Sequence, residues 1–124
     1  MKRDMDLVRS ILLQVEAADD ECESGQLDFM GHSQAEVYYH IELMQQRGLI
    51  DATVKRDWSG SVIYASIIGL TWDGQDFLDA MRDDRVWARS KKAVKDAVGS
   101  TTFDVIKKVC VEVATSMVLK SAGL

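Results

Sequence analysis

Proline is absent from this sequence of 124 residues, and cysteine and histidine occur only twice each. The absence of proline and an apolar fraction of 47% argue against a disordered chain, and this apolar fraction allows a packed core. Long apolar runs are also missing, since the uncharged stretch over residues 113–119 is far too short to cross a bilayer. Lys2 and Arg3 lead directly into acidic residues rather than into a signal peptide. These absences predict a soluble, cytoplasmic protein with no membrane partner.

The scarcity of histidine and cysteine also argues against a metal site. His32, expected in a turn, and His40, expected on a helix surface or its packed edge, have a spacing that fits no compact zinc site. Neighbouring carboxylates should raise the pKa of Cys22, and Cys110 lies in an apolar stretch, so two reduced thiols are favoured over a disulfide. The glycines form no phosphate-binding motif, and the carboxylate pairs lack an accompanying base or nucleophile. The sequence therefore predicts no metal, cofactor, small-molecule substrate or enzymatic activity.

Positive charge is limited, with 15 lysine and arginine residues against 20 aspartate and glutamate residues, for a net charge of −5 at pH 7. DNA-binding domains are typically basic, so this balance counts against tight binding through phosphate neutralisation. The charges are nevertheless segregated along the chain. Acidic residues concentrate at 19–23 and 73–84, and basic residues at 2–3, 55–56 and 85–95.

Hydrophobic periodicity predicts helices over residues 4–17, 33–47, 84–98 and 101–121, and a further helix that begins at Thr71. Ser33 and Glu36 form a capping box at the start of the second helix, and Gly48 is placed to end it. Residues 50–57 and 61–70 are rich in strand-forming side chains and are separated by a serine–glycine turn. This pattern predicts an α+β, mostly helical fold with one β-hairpin.

The order helix, loop, capped helix, hairpin, helix resembles the winged helix-turn-helix superfamily. The resemblance is carried by Val37, Ile41, Met44, Gly48, Leu49, Ile50, Leu70, Thr71 and Gly74. It implies a winged-helix-like domain with a two-stranded wing over residues 1–82, followed by a C-terminal helical extension over residues 83–124. The sequence departs from the superfamily before the second helix, where only "LDFMGH" is available for a positioning helix.

Four segments carry a second similarity: "MKRDMDLVRSILLQVE", "VYYHIELM", "GLTWDGQDFLDAMRDD" and "VW". Through them the chain is also similar to a protein family that is found in bacteria and their phages and is known as domain of unknown function 2513. The similarity extends over most of the chain. It implies a winged-helix-like core and a phage or prophage setting, and it implies no particular activity.

A recognition helix in a major groove presents its outer side chains to the bases, and a wing contacts the backbone or the minor groove. The candidate DNA-binding residues are Gln34, Tyr38, Tyr39, Gln45, Lys55, Arg56 and Trp58. In the alternative interpretation, the two tyrosines pack against a neighbouring segment and the charged residues are solvated. The basic run over residues 85–95 could follow a phosphate backbone, although a solvated helix face is favoured.

The predicted last helix is apolar over more than half of its circumference, so it should be buried on more than one side. Self-association would bury this surplus through Phe103, Ile106, Val109, Cys110, Val113 and Met117, and a hairpin with the preceding helix is the alternative. The sequence thus favours a dimeric winged-helix DNA-binding transcription regulator of a phage or prophage. The alternative is a non-enzymatic module that binds a host or partner protein instead of DNA.

Overall fold

The computed structural model describes residues 1–18, 21–23, 29, 31–98 and 103–123. In this part of the chain, the elements are α1 (Met5–Ala17), β1 (Cys22–Glu23), α2 (Gln34–Arg47), β2 (Ile50–Arg56), β3 (Val62–Leu70), α3 (Trp72–Met81), α4 (Asp84–Val98) and α5 (Phe103–Ser121). The predicted α+β, mostly helical fold is confirmed. The chain forms two compact units, Met1–Gln75 and Asp76–Leu124. The domain division predicted after residue 82 stays a prediction.

Helix α1 supplies much of the core of the first unit. The Asp4 carboxylate begins it by accepting hydrogen bonds from the backbone N–H groups of Asp6, at 2.9 Å, and Leu7, at 3.3 Å. Apolar side chains three and four residues apart then form one buried face that packs on β3 and α2. The buried residues of this face are Met5, Leu7, Val8, Ile11, Leu12 and Val15.

Both predicted ends of α2 are confirmed. The Ser33 hydroxyl accepts a hydrogen bond from the Glu36 N–H at 3.2 Å, and the Glu36 carboxylate interacts in return with the Ser33 backbone and hydroxyl. At the other end, Gly48 has a φ of +82°, the left-handed conformation that glycine adopts without steric cost. The N–H of Leu49 donates to the carbonyl of Met44 at 2.9 Å, which completes the cap.

The predicted β2–β3 hairpin is also confirmed, and β3 is the middle strand of an antiparallel sheet ordered β1-β3-β2. The short strand β1 lies in a segment that was expected to be a loop. Cys22 and Ala52 both pair with Ile67, so the three side chains share one face of the sheet. Burial raises the pKa of the Cys22 thiol; the direction is as expected, but the cause is desolvation rather than the neighbouring carboxylates.

The β2–β3 pairing shifts its register twice, and the residues left without a partner in β2 are Ile63 and Ile68. Both side chains are exposed although β3 is an apolar strand. A bulge inserts an extra residue and interrupts the alternation of side chains between the two faces of a sheet. The irregularity at Ile63 accounts for its exposure, since regular alternation would place it on the same face as buried Ala65 and Ile67. Ile68 follows Ile67 directly, so alternation alone places it on the opposite face.

Helix α3 begins in close contact with the turn that follows α2. Thr71 caps the helix, because its hydroxyl accepts a hydrogen bond from the Gly74 N–H at 3.0 Å and donates one to the Gly48 carbonyl. A Cβ atom placed on Gly74 would lie only 2.0 Å from the carbonyl oxygen of Leu49. Glycine is therefore required at this position for α3 to approach the start of β2.

The second unit contains the C-terminal part of α3 together with α4 and α5. Asp83 caps α4 by accepting hydrogen bonds from the N–H groups of Arg85, at 2.7 Å, and Val86, at 3.2 Å. The Arg85 side chain is the main cause that holds the pKa of Asp83 below its ordinary value. Helices α4 and α5 pack against each other, and the Phe77 and Phe103 rings meet edge to face with centroids 4.8 Å apart.

Two expectations lie partly or wholly outside the described residues. The predicted start of the last helix, Thr101, lies outside them. So do three of the first four residues of "LDFMGH", the segment that is available for a positioning helix. In the described part of the chain, no helix combines the length and the apolar content that a transmembrane helix needs.

The Gly74 contact yields a prediction about stability. Gly74→Ala should lower the free energy of unfolding by about 1–3 kcal/mol, because the new methyl group must displace backbone atoms of Leu49. Intrinsic helix propensity alone predicts the opposite sign, since alanine is favoured over glycine by about 1 kcal/mol inside a helix. Urea denaturation followed by circular dichroism measures the difference.

Gly69→Ala is the matched control, because no atom lies within 4 Å of a Cβ placed there and its φ is not positive. Its free energy of unfolding should stay within about 0.5 kcal/mol of the unmodified protein. A Gly74→Ala protein that is as stable as the Gly69→Ala protein would contradict the close approach of α3 to Leu49.

Candidate nucleic-acid interface

Helix α2 and the β2–β3 hairpin line a shallow groove of about 430 Å³. Its lining residues are Gln34, Ala35, Tyr38, Tyr39, Glu42, Arg56, Ser61 and Val62. The groove brings together four of the seven candidate DNA-binding residues, three from α2 and one from β2. Gln45, Lys55 and Trp58 lie outside its lining.

The charge of Arg56 is compensated within the protein. Its guanidinium forms an ion pair with the Glu42 carboxylate, across the groove from β2 to α2. It also donates a hydrogen bond to the Gly60 carbonyl at 2.9 Å, which holds the side chain along the hairpin. A phosphate at this position would have to compete with Glu42 for the guanidinium. The contact joins residues fourteen positions apart on different elements, so helical or strand spacing could not reveal it.

The α2 candidates differ in how accessible they are. Gln34 is exposed and Tyr39 is half-buried, with its ring edge-on to His40. Tyr38 is only 9% exposed, which agrees with the alternative in which this side chain packs inside the protein. The Gln45 side-chain amide donates a hydrogen bond to the Ala52 carbonyl at 2.6 Å, so it connects α2 to β2. The exposed residues of α2 lie at its two ends, Gln34 and Ala35 at the start and residues 45–47 at the end. Of these, only Gln34 and Ala35 line the groove.

The tip of the hairpin is shaped by Asp57. Its carboxylate accepts hydrogen bonds from the backbone N–H groups of Ser59 and Ser61, at 2.9 and 3.1 Å, and from the Ser59 hydroxyl at 2.6 Å. These bonds, led by that of the Ser59 hydroxyl, hold the pKa of Asp57 below its ordinary value. Trp58 is 99% exposed at this tip, and the Lys55 ammonium lies 5.4 Å from the centroid of the Tyr64 ring. The ordered turn thus presents the Trp58 indole, and the adjoining end of β2 carries the Lys55 ammonium.

His40 fixes the position of α2 against α1. The expectation that placed it at the helix surface or packed edge was incomplete, because it is only 1% exposed. Its Nδ1 lies 2.7 Å from the Glu36 carbonyl, and its Nε2 lies 2.8 Å from the backbone nitrogen of Asp4. A carbonyl can only accept and an N–H can only donate, so these two bonds select the neutral ring with its proton on Nδ1. Nothing in the sequence around His40 indicates this contact, because Asp4 lies thirty-six positions away.

A second histidine lies near the same helix start. The Nδ1 atom of His32 is 3.0 Å from a carboxylate oxygen of Glu36, and its Nε2 atom is 3.8 Å from a carboxylate oxygen of Asp4. The hydrogen bond with His32 is the main cause of the lowered pKa of Glu36. Among the residues that the structure describes, no group of three or more histidine, cysteine, aspartate or glutamate residues could hold a metal ion. The expectation of no metal and no cofactor stays a prediction.

Two comparisons with known proteins bear on this chain. The family described as "Hypothetical protein (DUF2513)" matches residues 2–101. An uncharacterised protein of Haemophilus influenzae is 38% identical over 120 residues, which are 94% of this chain and 98% of the relative. The chain belongs to the DUF2513 family. The predicted family resemblance is therefore confirmed, and no solved structure matches the chain.

The family match of this DUF2513 protein covers the groove and the hairpin and ends before α5. Three of the six candidate interface residues on α5, Phe103, Ile106 and Cys110, are buried within a single chain. The other three, Val109, Val113 and Met117, are half-buried. The apolar side chains that α5 exposes are Val105, Val111, Val118 and Leu119. Periodicity revealed the surplus of apolar residues, but not which of them α4 and α3 would cover.

The lowered pKa of Glu36 yields a prediction about acid stability. The charged carboxylate adds stability that is fully present above its ordinary pKa of 4.5, and that is lost as the pH falls through the lower pKa of the folded protein. Glu36→Gln removes this titration and can still accept hydrogen bonds from the helix start. The variant should therefore lose less stability than the unmodified protein between about pH 6 and about pH 3.5, measured by urea denaturation.

Asp76→Asn is the control, because it removes an exposed carboxylate that lies outside this cluster. Its loss of stability over the same pH range should parallel that of the unmodified protein. If Glu36→Gln and Asp76→Asn behave alike, the contact between His32 and Glu36 does not contribute to stability.

Proposed function

We propose that this DUF2513 protein is a winged-helix DNA-binding transcription regulator that acts by binding, without catalysis. In this proposal, α2 enters the major groove and the β2–β3 hairpin is the wing. The observation that carries the proposal is the groove with exposed Gln34 on its α2 wall and Arg56 on its hairpin wall. A phage or prophage setting agrees with the family resemblance, and the cytoplasm is the compartment in which such a regulator would act.

The N-terminal end of α2, where exposed Gln34 and Ala35 line the groove, supports this docking. Recognition helices contact base edges mainly through their N-terminal residues, and a glutamine there can pair with adenine through two hydrogen bonds. Gln34 and Tyr39 are the accessible candidates on this part of the helix. Lys55 and Trp58 on the hairpin would then contact the backbone or the minor groove. Tyr38 would support the helix from inside rather than touch DNA.

The ion pair between Arg56 and Glu42 explains how an acidic protein could keep such an interface. With a net charge of −5, the protein gains little from unspecific attraction to phosphates. Arg56 would bind a phosphate only by giving up Glu42, so the affinity for arbitrary DNA should be low. A correct sequence would compensate through contacts from α2. We also propose that the protein acts as a dimer, which would place two α2 helices in successive major grooves about 34 Å apart.

Charge substitutions on the hairpin and on α2 test the proposal. Lys55→Glu should weaken binding to duplex DNA at low salt and reduce the salt slope by about one phosphate contact, a change of about 0.9. Glu42→Gln should strengthen binding, because it releases Arg56 for a phosphate. Fluorescence anisotropy with a labelled random duplex, repeated over a salt series, measures both effects.

Lys92→Glu on α4 is the matched control, since it makes the same charge change at an exposed lysine that does not line the groove. It should leave the salt slope unchanged. If the control and Lys55→Glu reduce affinity equally, the hairpin is not a specific contact. If the unmodified protein does not bind the duplex even at low salt, the DNA-binding proposal fails.

The second candidate function is a protein-interaction module that does not bind DNA. It is favoured by the large apolar side chains that the first unit exposes besides Met1, which are Trp58, Ile63, Ile68 and Trp72. Exposed aromatic residues are common at protein interfaces, where they supply most of the binding energy. The anisotropy experiment separates the two functions, because this module requires no affinity for the duplex.

A further inference from the structure

Helix α5 carries an exposed apolar row on the C-terminal half of its surface. Val111, Val118 and Leu119 are 45%, 66% and 44% exposed, although apolar side chains of this size gain free energy when they are buried. Val111, Thr115 and Leu119 are spaced by four residues, so they follow one line along the helix. They form one side of a shallow depression of about 510 Å³, whose other side is Glu112, Ser116 and Lys120.

We propose that this face pairs with the same face of a second copy of the chain, with the two α5 helices antiparallel. A second copy is inferred as the partner from the order of residues along the two rows of this face, Val111–Thr115–Leu119 and Glu112–Ser116–Lys120. A two-fold axis near Thr115 places Val111 of one copy beside the partner's Leu119, and the reverse. The same axis places Glu112 beside the partner's Lys120, also twice. The surface is therefore complementary to itself in both apolar contact and charge.

The charges select the antiparallel orientation. In an antiparallel pair, the Glu112–Ser116–Lys120 rows of both copies lie along the same edge of the interface and run in opposite directions. Each glutamate then meets a lysine. In a parallel pair, the charged row of one copy and the charged row of its partner lie on opposite edges of the interface and cannot contact each other. Exposed ion pairs add little affinity by themselves, but they specify orientation, as charged flanking residues do in coiled coils.

This inference deepens the proposed function, because it names the surface through which the proposed dimer would form. It rests on the proposed function only for the role that the dimer would have, because pairing of two copies can be measured without DNA. The surface differs from the candidate set that includes Phe103, Ile106 and Cys110, which are buried within one chain. The partner helix would instead cover the opposite, exposed side of α5.

A charge-reversal cycle on the full chain tests the pairing by sedimentation equilibrium. Glu112→Lys should raise the dimer dissociation constant about tenfold, because it places a lysine beside the partner's Lys120 at two equivalent positions. Lys120→Glu should do the same by pairing two glutamates. The double variant should return to within about threefold of the unmodified protein, because each ion pair is restored with its signs exchanged. Asp96→Lys on α4 changes the charge by the same amount elsewhere on this unit and should have no effect.

Disulfide cross-linking tests the orientation. An equimolar mixture of Val111→Cys and Leu119→Cys proteins should form a cross-linked mixed dimer on mild oxidation, and neither variant alone should cross-link efficiently. Cross-linking of each variant with itself would indicate a parallel pair and overturn the proposal.

Two further outcomes would also overturn it: an unmodified protein that is monomeric at about 100 µM, or a dimer whose dissociation constant none of these substitutions changes. The DNA anisotropy of Glu112→Lys is recorded separately. A monomeric protein that still binds DNA contradicts the pairing and the proposed dimer but not the proposed DNA binding. A dimer that does not bind DNA contradicts the proposed DNA binding but not the pairing.

Discussion

The imidazole of His40 accepts a hydrogen bond from the Asp4 N–H and donates one to the Glu36 carbonyl, and so joins the start of α1 to the interior of α2. The His40 ring is buried, so losing either bond would leave one of its nitrogen atoms without its partner. The orientation of α2 depends on this ring, and the groove depends on the orientation of α2. Asp4 serves both helices, because its carboxylate caps α1 while its backbone holds His40.

Direct contacts at its base and hydrogen bonds at its tip position the β2–β3 hairpin. Near its base, the absence of a side chain at Gly74 lets α3 approach Leu49, and Thr71 connects the helix start to the Gly48 carbonyl. At its tip, Asp57 organises the turn that presents Trp58. The groove between α2 and the hairpin thus has two walls that are each held by hydrogen bonds to the backbone. Such walls suit a recognition surface, which gains affinity when little ordering remains to be done on binding.

The electrostatics of this DUF2513 protein distinguish it from a strongly basic DNA-binding domain. The cation among the residues that line the groove, Arg56, is already paired with Glu42, so the attraction of phosphate to the groove is reduced. If the groove binds DNA as proposed, this pairing would favour selectivity over speed of association, because charge attraction raises the encounter rate with every duplex. The exposed row on α5 would add specificity by a different route, since a dimer reads two half-sites at a fixed separation.

The sequence by itself determined the features that depend on near neighbours: the caps of α2 at Ser33 and Gly48, the β2–β3 hairpin, and the apolar surplus of α5. Such features follow from residues three or four positions apart, whose preferences act before the chain folds. Only the tertiary structure decided the burial of His40, the Glu42–Arg56 pair, the pairing of β1 with β3, and the rows of α5 that stay exposed. Each of these depends on residues distant in sequence, and their contact energies exist only after packing has brought the elements together.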